Sequence, residues 1–209
     1  MISSAPKPAP QPESTPVNDD WWQETVVCIG AGPSLTVDDV DQVRDKARVI
    51  VINSSYMLAP WADLLYACDG KWWDWHDGGQ LFMGEKWTQD AGAAARYRLN
   101  YIKGIAGTGL CTDPRMIHTG SNSGFQAINM AYHKGAHRVI LLGFDMQFGH
   151  EGQAHWHGEH PDNVRSNYEM FKAGFKQIAE QGKIEVINAS RETALRCFPR
   201  KPLEDIVWT

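Results

Sequence analysis

A glycine-rich turn near the start of the chain has the composition of a site for a phosphorylated ligand. The segment Gly30–Leu35, Gly-Ala-Gly-Pro-Ser-Leu, follows the apolar run Val26–Ile29 and precedes a helical pattern. A turn between a strand and a helix directs backbone N–H groups and the positive end of the helix dipole at an anion. Because Gly30 and Gly32 have no Cβ, a phosphate can approach their backbone closely. The turn therefore predicts a phosphate site, and the alternative is a turn that binds nothing.

This turn differs from the two common phosphate-binding motifs. Leu35 stands where the dinucleotide motif Gly-x-Gly-x-x-Gly has its third glycine. The Gly-Lys-Ser/Thr of a P-loop does not follow it either. The other candidate residues of the turn are Pro33, whose ring fixes φ, and Ser34, whose hydroxyl can bond a ligand.

A second candidate anion site lies in the middle of the chain. The segment Thr119–Gly124, Thr-Gly-Ser-Asn-Ser-Gly, leads into the helical pattern Phe125–Lys134, with Gly135 at the C-cap position. A helix that begins with small polar residues leaves N–H groups for an anion. The candidate ligand residues here are Ser121, Ser123 and Gly124.

A histidine-rich loop could supply a proton acceptor. The sequence His155–His160 reads His-Trp-His-Gly-Glu-His. Histidine titrates near neutral pH and can act as a general base, so His155, His157 and His160 are candidate catalytic residues. Two alternatives remain open, a polar loop without chemistry and a site for a metal such as zinc.

The strands that must position these residues end in polar side chains. Apolar runs at 47–52, 62–68 and 139–144 are followed by Asn53, Asp69 and Asp145. Helix-compatible segments separate the strands, which predicts βαβ units and an α/β fold with a mostly parallel sheet. The carboxyl ends of parallel strands meet at one edge, where open α/β sheets bind ligands. The turn, Asn53 and Asp69 are therefore expected to converge there.

Length, composition and net charge limit the classes of protein to which this chain can belong. The chain has 209 residues, 43% hydrophobic, with a net charge of −5 and no dense Lys/Arg run. Such a chain can bury one sizeable core, and nucleic acid is an unlikely partner because a basic stripe is missing. The four cysteines are scattered, which is typical of a reducing compartment. No apolar run has the length of a membrane span and no signal-peptide core is evident, so the prediction is a cytoplasmic protein without a membrane partner.

The expected organisation is one domain behind a tail. Residues 1–20 carry prolines at positions 6, 8, 10, 12 and 16 and are predicted to form a disordered or extended tail. Residues 21–209 are predicted to form a single nucleotide-binding domain. Within it, 79–109 has weak periodicity and many glycines, which suggests a helix with loops and a lid insertion over the site. Trp72, Trp73 and Trp75 either stack on a ligand or, as we favour, pack in the core.

Four motifs in order resemble those of known families. The turn Gly30–Leu35 is similar to that of bacterial sialyltransferases that use CMP-sialic acid. It is equally similar to the turn of Rossmann-like proteins grouped with archaeal hydroxymethylpterin diphosphokinase and motility accessory factors. Ile52–Tyr56, Ser121–Phe125 and Leu142–Met146 resemble the next three sialyltransferase motifs. The closing segment Cys197–Arg200 resembles small stand-alone phage versions of this fold, which implies a phage-encoded protein in the host cytoplasm.

The resemblance implies a Rossmann-like three-layer fold with a nucleotide site. Carried over by motif, the nucleotide would be held by Gly32, Pro33, Ser34, Asn53, Ser123, Gly124 and Asp145. One of the loop histidines would be the base. Two departures stand out: Ala31 replaces the asparagine of the sialyltransferase turn, and Ala67–Gly70 keeps one acid of the magnesium-binding segment of the pterin enzymes.

Three functions follow from these patterns. The first is a glycosyltransferase-like enzyme with a nucleotide-sugar donor and a histidine general base. The second is a diphosphate transferase in which Asp69 and Asp145 hold magnesium. The third is a nucleotide-binding module without catalysis. The oligomeric state is not predicted by the sequence.

Overall fold

A computed structural model describes residues 12–120, 122–158 and 167–208 of the protein. The strands are β1 Thr25–Ile29, β2 Arg48–Ile52, β3 Leu64–Tyr66, β4 Glu85–Thr88, β5 Asn100–Tyr101, β6 Lys103–Ile105, β7 Met116–His118, β8 Arg138–Leu142 and β9 Glu185–Asn188. The α-helices are α1 Val37–Val43, α2 Gly70–Trp75, α3 Ala91–Tyr97, α4 Ser123–His133 and α5 Tyr168–Gln181. Short 3₁₀ helices span Asn53–Met57, Asp77–Gly79 and Leu203–Asp205.

The fold is built on a seven-stranded sheet in the order β5-β4-β3-β2-β1-β8-β9. Every described ladder is parallel, with Val27 of β1 opposite Val49 of β2 on one side and Ile140 of β8 on the other. A small parallel pair, β6 and β7, lies outside this sheet. The strand order changes direction between β1 and β8, and ligands of open α/β sheets bind at such a point.

Alternating side chains of the strands enter two separate cores. Val26 and Cys28 of β1 pack with Phe125 and Ile128 on the side of α4. Val27, one residue along, packs with the side chains of α1 and α2 on the other face. This period of two, with apolar residues on both faces, is typical of a parallel sheet covered by helices on each side. The predicted three-layer α/β fold with a mostly parallel sheet is therefore confirmed.

Two predicted boundaries differ from the structure. Residues 79–109 contribute β4 and β5 to the main sheet, so this segment is part of the core architecture and not a lid insertion. The folded region also begins before residue 21: the Thr15 N–H donates to Tyr101 O at 2.7 Å, and Val17 is buried. A single apolar residue after a proline-rich segment is too weak a pattern to predict such a contact.

The tryptophan cluster is part of the core. Trp72 and Trp73 of α2 are 2% and 0% exposed, and Trp73 Nε1 donates to Ala67 O at 3.0 Å. A side chain without exposed surface cannot stack on a ligand, so the packing interpretation is confirmed for these two residues. Trp75 remains 38% exposed at the end of the helix.

A capping box begins α1 directly after the glycine-rich turn. The Thr36 hydroxyl accepts from Asp39 N at 3.3 Å, and the Asp39 carboxylate accepts from Thr36 N at 3.1 Å. Arg191 Nε adds an ion pair to the same carboxylate at 2.7 Å. These bonds satisfy donors that the first helical turn leaves open and tie α1 to the segment after β9.

Loss of this cap is expected to destabilise the protein modestly. Thr36→Ala should lower the free energy of unfolding by about 1 kcal/mol, because the Asp39 N–H loses its acceptor. Thr36→Ser, which keeps the hydroxyl, should remain close to the wild type. Urea denaturation of the three proteins measures the difference, and equal stability of the alanine and serine variants would contradict the assignment.

None of the helices in the described ranges has the length and apolar character needed to cross a membrane.

Candidate functional site

A cleft opens where the sheet order changes direction, between the carboxyl ends of β1 and β8. Its walls come from the turn after β1, the end of β2, the start of α4, the segment after β8 and the start of α5. Seven of the predicted site residues line it: Gly30, Gly32, Asn53, Ser123, Gly124, Asp145 and His155. Of the segments that the sequence predicts to converge at one sheet edge, the turn and Asn53 line this cleft, and Asp69 does not.

The glycines of the turn are explained by close packing against the segment after β8. A Cβ on Gly30 would lie 2.7 Å from Gly143 O, and one on Gly32 would lie 2.3 Å from Asp145 Oδ1. The N–H groups of Gly30 and Gly32 donate to Leu142 O and Gly143 O, both at 2.8 Å. The space and the donors that we expected to serve a phosphate are therefore used inside the protein.

Asp145 is the most unusual polar residue of the cleft. It is 1% exposed, and its Oδ2 accepts from Ser34 N at 2.7 Å. Its Oδ1 is buried and makes no hydrogen bond within the described part of the chain. Burial raises the pKa of this carboxyl to about 6, with smaller contributions from the charges of Glu192 and Asp39, while the bonds from Ser34 oppose the rise. A buried acceptor without a donor is costly, so Oδ1 would gain a hydrogen bond from any donor that could reach it.

Strained backbone occurs at two strand ends that line the cleft. Asn53 after β2 has φ 49° and Met146 after β8 has φ 49°. Left-handed backbone is uncommon for residues other than glycine and is tolerated best by Asn and Asp. Such strain concentrates at binding and active sites, where the surrounding structure enforces it.

The start of α4 forms the wall opposite the turn. Asn122 caps the helix by accepting from Phe125 N at 2.9 Å, and Ser123 and Gly124 lie at the cleft surface. The first N–H groups of an α-helix have no partner within the helix, and α4 is eleven residues long. This helix start is therefore the better anion site of the two that the sequence predicts.

The histidine loop covers the cleft from the side of the turn. Trp156 N donates to Ala31 O at 3.1 Å, and its indole Nε1 reaches Ser55 Oγ at 3.4 Å. His155 lines the cleft. His157 stacks on His155 with ring centroids 5.2 Å apart and does not line the cleft. His155 is thus the described histidine that is placed to meet a ligand.

The remaining predicted residues are placed differently. Pro33 and Ser34 do not line the cleft, although Ser34 holds Asp145. Asp69 also lies outside the lining, because its carboxylate caps α2 by accepting from Lys71 N at 3.0 Å. Ser121 and His160 fall outside the described residues. In the described ranges, no group of three His, Cys, Asp or Glu side chains is arranged to hold a metal.

Two aromatic residues of the cleft were not predicted as site residues. Tyr168 and Phe171, on the first turn of α5, line it opposite the turn. The Tyr168 hydroxyl donates to Ala154 O at 3.2 Å, and its ring meets Phe148 edge to face. Both residues belong to the apolar stripe of α5, in which Tyr168, Phe171, Phe175 and Ile178 recur at three- and four-residue steps. Two aromatic side chains at the exposed end of such a stripe are the sequence signal that could have identified them as site residues.

The cleft is narrow, with a volume of about 90 Å³. Small-molecule sites usually enclose about 300 to 1,000 Å³. Ala154 and His155 of the histidine loop occupy one side. In the described part of the chain, Ala154 and His155 are the residues of this loop that narrow the cleft.

The fold is shared with solved glycosyltransferases. The sequence matches no protein-family model and has no significant match among curated proteins. MAf glycosyltransferase from Magnetospirillum magneticum AMB-1 is similar in structure, with a TM-score of 0.63 and 10% identity over 95% of this chain. The chain spans 36% of the length of that protein. The sialyltransferase CstII from Campylobacter jejuni, solved with cytidine-5'-monophosphate, gives a TM-score of 0.54 and 13% identity over 89% of each chain.

Proposed function

We propose that the protein is a transferase that uses a nucleotide-activated sugar, with the donor bound in the cleft between β1 and β8. The observation that carries the proposal is the meeting of three features there: the start of α4, the buried acceptor Asp145 and the histidine His155. The shared fold supports it, since one neighbour is a sialyltransferase solved with cytidine-5'-monophosphate. We infer a cytidine nucleotide as the donor's leaving group.

Each group of cleft residues would have a separate role in the proposed reaction. His155 would take the proton of an acceptor hydroxyl, whose oxygen then forms the bond to the anomeric carbon of the sugar. The bond from that carbon to the phosphate oxygen breaks, and the electron pair leaves with the nucleotide. Ser123 and Gly124 at the start of α4 would meet the charge of the phosphate. Asp145 Oδ1 would accept from a hydroxyl or amine of the nucleoside.

The arrangement gives less support to a magnesium-dependent diphosphate transferase. That reaction needs acidic residues that hold the ion together. Asp145 lies in the cleft while Asp69 caps α2 outside it, so the two predicted ligands do not form one site. An assay can distinguish the transferase from a binding module without turnover. The module would bind CMP but would not consume a CMP-sugar.

Titration with CMP tests the proposed site. We expect binding in calorimetry that is unchanged by EDTA. At about a hundred times its dissociation constant, CMP should stabilise the fold by about 2.7 kcal/mol in a thermal-shift assay. Tyr168→Ala, which removes part of the wall, should weaken binding about tenfold, equivalent to about 1.4 kcal/mol.

The matched control is Met170→Ala on the same helix, because Met170 is 48% exposed and does not line the cleft. It should bind CMP like the wild type. Absence of binding by any cytidine nucleotide, or equal losses in both variants, would overturn the assignment of the cleft. Binding that requires magnesium would favour the diphosphate transferase.

A further inference from the structure

The 3₁₀ helix Asn53–Met57 carries one of the residues that line the nucleotide cleft. Asn53, at its start, lines the cleft and has left-handed backbone with φ 49°. This conformation is uncommon for residues other than glycine and persists only where surrounding contacts enforce it. The contacts of the three residues that follow, Ser54, Ser55 and Tyr56, therefore decide how Asn53 is presented to the cleft.

The side chains of Ser54 and Tyr56 both bond the same residue, His76. Ser54 Oγ lies 3.4 Å from His76 Nε2, and Tyr56 Oη lies 3.1 Å from His76 Nδ1. Because a hydroxyl can donate or accept, either tautomer of the imidazole can form both bonds. Burial raises the pKa of Tyr56, which keeps its hydroxyl protonated at neutral pH. His76 thus joins two points of the 3₁₀ helix at once.

His76 is itself held in place by α2. It is the C-cap residue of this helix, and its N–H donates to Trp72 O at 3.1 Å. Its ring stacks on the Trp72 ring, with the centroids 4.2 Å apart and the planes 23° from parallel. Trp72 Nε1 also donates to Ser54 Oγ at 3.3 Å. Because Trp72 is 2% exposed, the imidazole rests on the packed core.

The third side chain of the 3₁₀ helix connects it to the walls of the cleft. Ser55 Oγ donates to Gly30 O at 2.7 Å and accepts from Trp156 Nε1 at 3.4 Å. Gly30 lines the cleft, and Trp156 is the neighbour of His155 in the loop that narrows it. His76 does not line the cleft, so it can influence a ligand there only through the 3₁₀ helix.

We propose that His76 is a positioning residue for the nucleotide cleft. By bonding Ser54 and Tyr56, it holds the 3₁₀ helix in the orientation that keeps Asn53 at the cleft. The proposal rests on the proposed function, and it adds a residue outside the cleft on which binding of the donor depends.

Variants of the histidine and of one partner separate hydrogen bonding from packing. His76→Phe keeps an aromatic ring and removes both bonds, whereas Tyr56→Phe removes one. His76→Gln places an amide near the position of Nε2 and can restore the bond to Ser54. The matched control is His137→Phe at the amino edge of the sheet, where a half-buried histidine bonds Glu24 O through Nδ1 at 3.1 Å.

Hydrogen exchange of the ligand-free protein tests the contact directly. The N–H groups of Leu58 and Ala59 donate to Ser55 O, so their exchange reports opening of the 3₁₀ helix. We expect His76→Phe to accelerate this exchange about tenfold, the two milder variants to accelerate it less, and His137→Phe to leave it unchanged. Unchanged exchange in His76→Phe, or the same acceleration in His137→Phe, would overturn the proposal.

Calorimetry with CMP on the same proteins tests the link to the cleft. His76→Phe should bind CMP about fivefold more weakly than the wild type, equivalent to about 1 kcal/mol, with partial recovery in His76→Gln. His137→Phe should bind like the wild type even if its Tm falls, which separates positioning from a general loss of stability. Unchanged CMP affinity in His76→Phe would overturn the positioning role. If the wild type bound no cytidine nucleotide, the proposed function would be wrong, and the exchange rates would then decide whether His76 holds the helix.

Discussion

Replacing His155 by alanine should reduce sugar transfer by about 10² to 10⁴-fold, the usual contribution of a general base. The affinity for CMP should change by less than about threefold, because the proposed role of His155 concerns the acceptor proton and not the nucleotide. Single-turnover transfer from a CMP-sugar, with calorimetry of CMP on the same protein, measures both quantities. The expected result is a loss in rate without a matching loss in binding.

Two other histidines provide controls for this variant. His157 stacks on His155 but lies outside the lining, so His157→Ala should have a smaller effect that arises from a less ordered His155 ring. The His150 side chain is 90% exposed and meets Glu192 at 3.2 Å, so His150→Ala should transfer at the wild-type rate. If His155→Ala retained full activity, or if His157→Ala lost more, the base would have to be reassigned.

Replacing Asp145 by asparagine should stabilise the ligand-free protein while weakening nucleotide binding. The carboxyl has a pKa of about 6 in the fold against an ordinary value of 3.8. Because the folded state holds this proton more tightly than the unfolded chain, the contribution to stability is fully present below pH 3.8 and is lost as the pH rises through 6. The difference in pKa corresponds to about 3 kcal/mol. A neutral amide at this position would avoid the loss, and its oxygen could still accept from the Ser34 N–H.

The measurement is thermal unfolding of Asp145→Asn and the wild type at pH 4.5 and pH 8. We expect the variant to gain about 2 kcal/mol at pH 8, a rise of several degrees in Tm, and little at pH 4.5. CMP affinity at pH 8 should fall about tenfold or more, since a bond to a charged acceptor contributes about 1.5 to 3 kcal/mol. A variant less stable than the wild type at pH 8, or with unchanged affinity, would contradict this role of Oδ1.

The interior of the sheet could be predicted from the sequence, and the edge formed by β4 and β5 could not. Strands β1, β2 and β8 each contain a run of four apolar residues, a pattern that burial on both faces requires. Strand β4 reads Glu-Lys-Trp-Thr and β5 has two residues, so neither produces a recognisable period. Strand β4 pairs with β3 and β5 pairs with β4, and the local sequence encodes neither pairing. This explains why residues 79–109 resembled a lid.

The place of the cleft at the sheet edge was predictable, but the hydrogen bonds and packing of its residues were not. Asn53 and Asp145 follow apolar runs directly, and parallel topology then places them at one edge. The bond from Ser34 N to Asp145 joins residues 111 positions apart, and it makes the turn a support for the carboxylate. Gly32 looked like space for a phosphate, yet that space is filled by the same aspartate. A contact between residues so far apart in the sequence forms only when two loops pack together, so the local sequence does not reveal it.

The bonds that hold Trp156 over the turn also set how readily the site is available. Two hydrogen bonds, to Ala31 O and from the indole to Ser55 Oγ, fasten the covering loop. At about 1 kcal/mol each, these bonds would add about 2 kcal/mol to the cost of displacing the loop from the turn. A ligand that has to displace the loop is therefore expected to bind about thirtyfold more weakly than it would to a protein without these two bonds. A ligand that forms hydrogen bonds in place of these two would avoid this cost, and the closed loop would therefore favour such a ligand over others.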